Sequence, residues 1–247
     1  MPSPSPPQPS PPSLTELISR GVLDAELAAL LWLLVEGGVP LVIAAPHGRI
    51  AAGGQLLCGI LASIRPNVEL EGLARPLGAS GASSLVRGRR PGGVLEAGSL
   101  EEVRQVLGSG PLPLTDDQLS FLGAVLVLGA DSGTPRDQAG GRLRVTAAHY
   151  VRPLARDAHG HSQLLPPAVL ATWDGRLERY EHFAWGVLPE IAARLGRRTG
   201  DLERDLHHRR DDLAGLVSAR VTALAEVQRL VAGYRVEYGD HHEGRQH

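Results

Sequence analysis

The sequence predicts an α/β fold: a three-layer sheet with an antiparallel edge and a C-terminal helical extension. Three features carry this. The run Val39 to Ala45 is continuously apolar, as in a strand covered on both faces. Directly after it, Leu56, Leu57, Ile60, Leu61 and Ile64 recur at helical spacing, giving the order helix, strand, loop, helix. Near the end, Arg210, Leu213, Val217, Arg220, Leu224, Val227, Val231 and Tyr234 alternate three and four apart, which predicts a long terminal helix.

Taken in order, residues 1–13 hold only Met, Pro, Ser and one Gln, a composition that favours extended polyproline conformation and reads as a disordered leader. Order begins at "SLTE", a capping box of Ser13 and Glu16, on a short helix ended by Gly21. Asp24 caps a second helix, Ala25 to Glu36, apolar on nearly every side and therefore buried. After the first strand and its helix, "VELE" at 68–71 suggests another short strand, and residues 72–98 show little periodicity. "SLEEVRQVL" from Ser99 and "TDDQLSFLG" from Thr115 are capped helices, and "AVLVLGA" is a buried strand. "RLRVTAAHYVRPL" and "SQLLPPAVLATW" are extended segments joined by "ARDAHGH", the antiparallel edge. The α/β domain thus spans 14–174. A helical region spans 175–240, with its long helix over about 200–234, and a disordered His-rich tail covers 241–247. The long helix either packs on the body or pairs with a partner.

Composition excludes several functions. The formal charge of -2 gives no field for nucleic acid or an anionic membrane. The longest apolar run, Leu27 to Val35, is about half the ~20 residues of a membrane span, so no direct membrane insertion is expected. With one cysteine, Cys58, and a leader without signal-peptide features, a cytoplasmic protein is expected. All 25 basic residues are arginine, which removes every mechanism that needs a lysine.

Residues 40–66, "PLVIAAPHGRIAAGGQLLCGILASIRP", have the outline of a phosphate-binding loop between strand and helix. Such a loop needs backbone N–H groups aimed at phosphates, a lysine, and a Ser/Thr hydroxyl on magnesium. Pro46, His47, Gly48, Arg49 and Gly53 are the residues of a relic cradle, while Ile50, Ala51 and Ala52 occupy the positions where glycine, lysine and hydroxyl are expected. Arg49 supplies charge, yet a forked guanidinium does not replace an ammonium inside the loop.

On these residues the chain resembles the ATPases of type II secretion and type IV pilus assembly, a P-loop-NTPase-like family. "LDAELAALLWLL" with "GVPLVIA" is similar to the helix and strand entering the family's Walker A loop, and "GGQLLCGILASIRP" to the helix leaving it. "VELEG" resembles its acidic box, with Glu71 at the glutamate, and "LEAGSLEEV" its histidine box, with Glu96 at the histidine. The resemblance covers most of residues 14–230, and its catalytic motifs are the parts that depart from the family. No acidic strand falls between Glu71 and Glu96. "VLVLGAD", ending at Asp131, imitates a Walker B strand but follows the histidine-box position.

The resemblance therefore implies a member that has lost hydrolysis. It needs no cofactor and acts by contact with an intact secretion ATPase or in a homo-oligomer. The alternative is a nucleotide-binding ATPase using ATP and magnesium, with Arg49, Glu71 and Glu96 in altered roles. "GASGA" at 78–82 approximates a hydrolase elbow at Ser80, but it lacks the flanking strand and helix pattern and reads as a flexible loop. His207 with His208, the loop pair His159 and His161 beside Asp157, and the tail histidines form no four-ligand metal set. Four ring side chains, Tyr180, His182, Phe183 and Trp185, fall within six residues and form either a packing anchor or a docking patch.

Overall fold

The computed structural model describes residues 10–130, 143–156 and 162–243. In chain order its strands are β1 (Leu41–Ala45), β2 (Gly92–Glu96), β3 (Ala124–Ala130), β4 (Leu143–Tyr150), β5 (Ala155–Arg156), β6 (Ser162–Gln163), β7 (Ala168–Asp174) and β8 (Arg179–His182). The helices are α1 (Leu14–Ser19), α2 (Ala25–Glu36), α3 (Ile50–Ile64), α4 (Ala79–Val86), α5 (Leu100–Ser109), α6 (Asp116–Leu119), α7 (Leu188–Arg194), α8 (Thr199–Ser218) and α9 (Leu224–Glu243). Six strands make one open mixed sheet in the order β2-β1-β3-β4-β7-β8, while β5 and β6 pair separately. β1 runs parallel to both β2 and β3, and every later pairing is antiparallel. The protein is a mixed α/β fold with the expected antiparallel edge.

Alternation along β1 explains how helices cover both faces. Leu41, Ile43 and Ala45 join the core that holds α2, α3 and α8, whereas Val42 and Ala44 point into a second core with Val103 of α5 and Leu119 of α6. All five residues of β1 are buried, as an apolar run with no polar face requires. The caps form at their expected residues: the Ser13 hydroxyl accepts from Glu16 N–H, the Asp24 carboxylate from Leu27 N–H, and Ser99 from Glu102 N–H.

Three expectations change. Residues 68–71 form no strand: Val68 and Leu70 pack half-buried on the core, and the chain turns at Gly72, whose φ is 75°. The neighbour of β1 is instead β2, inside the stretch expected to be least regular. That stretch also contains α4, whose buried residues are Ala82 and Leu85 alone, too sparse a stripe to show a period. "GASGA" is thus the start of a helix and not a loop.

The long helix expected over 200–234 is two helices. α8 closes in a Schellman pattern, with Val221 N–H donating to Leu216 O and Arg220 N–H to Val217 O, and Arg220 sits at φ 58°. Chain direction then reverses, so Leu213 on α8 and Val227, Val231 and Tyr234 on α9 all bury in the first core. Arginine in the place usually held by glycine hides this break from the sequence.

The two terminal helices are fixed by a buried ionic cluster. Arg209 of α8, its side chain 5% exposed, lies over the rings of Trp32 (4.5 Å) and Tyr234 (4.7 Å). It donates to Asp205 through Nε (3.0 Å) and Nη2 (3.2 Å). Its Nη1 stands 2.6 Å from the Glu36 carboxylate at an angle too poor for a hydrogen bond, so that contact is charge attraction. Burial works against the Asp205 charge, but Arg209, the Tyr234 hydroxyl and Arg197 outweigh it and hold its pKa below the usual value. Arg235 of α9 reaches Glu36 and the Ile64 carbonyl, each at 2.7 Å.

Removing one partner of such a cluster strands a buried charge. Arg209→Ala is expected to lower unfolding free energy by about 3–5 kcal/mol. The exposed pair of Arg229 and Glu226 provides the contrast, with Arg229→Ala staying within about 0.5 kcal/mol. Equal urea midpoints for the two variants would refute the role of the cluster. At the α8 break, Arg220→Gly relieves a left-handed backbone position and should stabilise by about 1 kcal/mol in the same measurement.

Candidate functional site

β1 and β2 end side by side, with Ala45 opposite Glu96 in register. The chain leaves β1 through Pro46, His47, Gly48 and Arg49 and enters α3 at Ile50. This is a closed turn: Arg49 N–H donates to the Pro46 carbonyl at 2.9 Å, so that amide is used inside the loop. Gly48 supplies φ 75° with open space around it, a conformation that favours glycine. Arg49 stands at the N-cap without a side-chain cap bond. The first helical bond runs from Gly53 N–H to Arg49 O, which leaves the N–H groups of Ile50, Ala51 and Ala52 free of intrahelical partners.

Among the predicted residues the structure brings His47 and Glu96 together: His47 Nδ1 hydrogen-bonds a Glu96 carboxylate oxygen across the mouth of the turn. Both are solvent-facing, His47 at 94%, so water screens the pair. The sequence signal for this contact was the β1–β2 pairing, which residue spacing alone does not reveal. Glu71 lies exposed in the segment between α3 and α4, and among the described residues no hydrogen bond or ion pair links it to the turn. Gly53 does not face the mouth. A Cβ there would stand 2.9 Å from Val94 and 3.0 Å from Ala45, so its role is close packing of α3 on the sheet. Gly54 likewise faces the backbone of Ala74, where an added Cβ would stand 2.9 Å from the Ala74 Cα.

The turn offers three amides at a helix start and no ammonium. That combination attracts an anion by roughly 0.3–1 kcal/mol at an exposed site, far short of what holds a triphosphate. Cys58, eight residues into the same helix, is buried, and burial raises its thiol pKa, so it is an inert packing residue.

The ring cluster divides. Tyr180 is the anchor: its hydroxyl donates to the carbonyls of Val22 and Val145, each at 2.8 Å, and its ring meets Trp173 edge-on at 5.1 Å. His182 Nε2 lies 2.8 Å from Asp24, the residue that caps α2, and its Nδ1 lies 3.9 Å from Glu26. Phe183 and Trp185 face solvent, Trp185 at 76%. Asp24 and Glu26 as partners of His182 were not foreseen, since 158 residues separate the two sides.

The histidines of the 157–161 loop, Asp131 with its Gly-rich turn, and residues 244–247 of the tail lie outside the described residues. Among the described residues no group of three or more His, Cys, Asp or Glu is placed to hold a metal ion. Among them, too, no helix is long and apolar enough to cross a membrane. No family model matches the chain, and no curated protein matches it.

Burial disfavours charge on His182, but the hydrogen bond and charge of Asp24 and the charge of Glu26 outweigh it and raise the imidazole pKa. A raised folded pKa stabilises fully below the unfolded value of 6.5, and that stability is lost as pH rises through the folded value. His182→Gln should therefore lower the urea midpoint most at pH 5.5, with the gap to wild type narrowing by pH 8.5. A gap independent of pH would show that the charge contributes nothing.

Proposed function

We propose that the protein is a non-hydrolysing relative of the type II secretion and type IV pilus ATPases, with a P-loop-NTPase-like body, that works by contact with an intact motor of that kind. What supports the kinship is the arrangement of its two resembling segments. The strand-turn-helix of residues 41–64 and the strand that ends in Glu96 lie adjacent and parallel, with Ala45 level with Glu96.

The loss of turnover rests on one observation, the turn itself. The amide of Arg49 is spent within it, Ala51 and Ala52 stand where lysine and the magnesium hydroxyl belong, and Glu96 is engaged by His47. A scaffold retained without its phosphate chemistry keeps surfaces that fit its own kind, so a motor subunit or a second copy is the fitting partner.

Millimolar MgATP should leave the melting temperature of the full chain unmoved, and the purified protein should release no phosphate. A ligand present at one hundred times its dissociation constant adds about 2.7 kcal/mol of stability. An upward shift of that size, abolished by Arg49→Ala, would establish nucleotide binding and overturn the reading. The contact role is measured separately, by the hydrolysis rate of a purified intact secretion motor with and without this protein. An unchanged rate and no co-elution would refute it.

A further inference from the structure

The six-stranded sheet ends in β8, which is laddered to β7 and, among the described residues, to no other strand. A terminal strand presents a row of backbone groups that a further strand can meet. Phe183 N–H donates to Leu170 O at 2.8 Å, and the β7–β8 register runs without a break from Arg179 to His182. Alternation therefore turns the backbone groups of Arg179 and Glu181 toward β7, and those of Tyr180 and His182 toward the outer edge. The side chains alternate as well. Tyr180 and His182 reach inward to Val22 and Asp24, which sets Arg179 and Glu181 on the opposite face, 65% and 43% exposed.

Charge on an edge strand usually blocks pairing. Here the two charges are opposite in sign and flank Tyr180, so they select one pairing of β8 with a second β8. The outer backbone groups belong to even-numbered residues, and a ladder must set even against even. Tyr180 opposite a second copy's His182 would put Glu181 against Glu181, and Tyr180 opposite Glu178 would put Arg179 against Arg179. His182 opposite His182 would put Glu181 against Phe183. Only with Tyr180 on the two-fold axis does each Arg179 meet the other copy's Glu181. That cation has a place to fill, because on the β7 side Arg179 faces Asp174 while Glu181 faces Thr172. Leu177 and Phe183, 45% and 41% exposed, stand three residues to either side of Tyr180. The same axis brings the Phe183 end of one strand to the Leu177 end of the other.

We propose that β8 is a self-association surface, on which two copies pair antiparallel about a two-fold axis through Tyr180 and join their sheets. The occupant is a second copy because an isologous contact needs a surface complementary to itself, and this edge is so in charge and in its apolar ends. The pairing rests neither on nucleotide chemistry nor on kinship with secretion ATPases, and it is read without any motor protein.

Sedimentation equilibrium of the full chain tests it. The ladder is short, so a dimer of roughly micromolar strength is expected. Arg179→Glu sets carboxylate against carboxylate at both crossings, and Glu181→Arg sets guanidinium against guanidinium. Each should raise the dissociation constant about tenfold. Mixing the two variants should restore pairing as a heterodimer, and the double variant Arg179→Glu with Glu181→Arg should pair with itself. Restoration separates charge from damage to the fold. A wild-type chain that stays monomeric up to about 100 μM would overturn the proposal. Dimers indifferent to both single changes would do the same, as would single variants that neither mixing nor the double change restores.

Discussion

Helix α3 is the constraint on which the other elements depend, because it is gripped at three glycines that leave no room for a side chain. Gly53 is pressed onto β1 and β2, Gly54 onto Ala74, and Gly59 onto Pro12. In the interior of a helix each glycine costs up to about 1 kcal/mol relative to alanine, and here the return is contact between backbones. The sheet fixes one side of α3, the N-terminal segment another, and α9 closes on it through Gln228, which donates to the Ala62 carbonyl. With the helix axis set this close to β1, four residues, Pro46 to Arg49, join them. The shape of the turn is a product of packing as much as of any ligand.

The second organising element is the Arg209 cluster, which unites α2, α8 and α9. In a chain without lysine, the planar guanidinium does what a compact ammonium would not: it lies against the paired rings of Trp32 and Tyr234, which themselves meet edge-on at 5.3 Å, while it also reaches Asp205 and Glu36. Buried charge pairs rarely add much net stability. They do penalise wrong registers, and here a slip of α8 along α2 would separate Arg209 from Glu36.

Much of the parallel core was legible in the sequence because its signals are local. Asp24, Ser99 and Thr115 announce their helices by side chains that reach an N–H three residues away. β1 and β3 announce themselves by unbroken apolar runs. What failed to show was set by partners distant in the chain. β2 reads "GGVLE", two glycines before a short apolar run, and it is a strand because Gly92 and Gly93 pack under Leu57 and Leu77, where a side chain would collide. α8 ends at an arginine in a left-handed conformation that composition does not flag. The site divided in the same way. The identity of each turn residue was visible, but the meeting of His47 with Glu96 depends on strand register, and Gly53 was assigned to the cradle because spacing cannot tell a glycine that faces a ligand from one that faces a sheet.

Ser13 donates its hydroxyl to the carbonyl of Thr222, a contact spanning 209 positions. At about 5–20 residues per second of synthesis, the first helices wait roughly 10–40 s before the chain that covers them has been made. During that interval the apolar flanks of α2 and α3 stand open on the nascent polypeptide. Those flanks close only once α8 and α9, made after everything else in the fold, have been added to the chain.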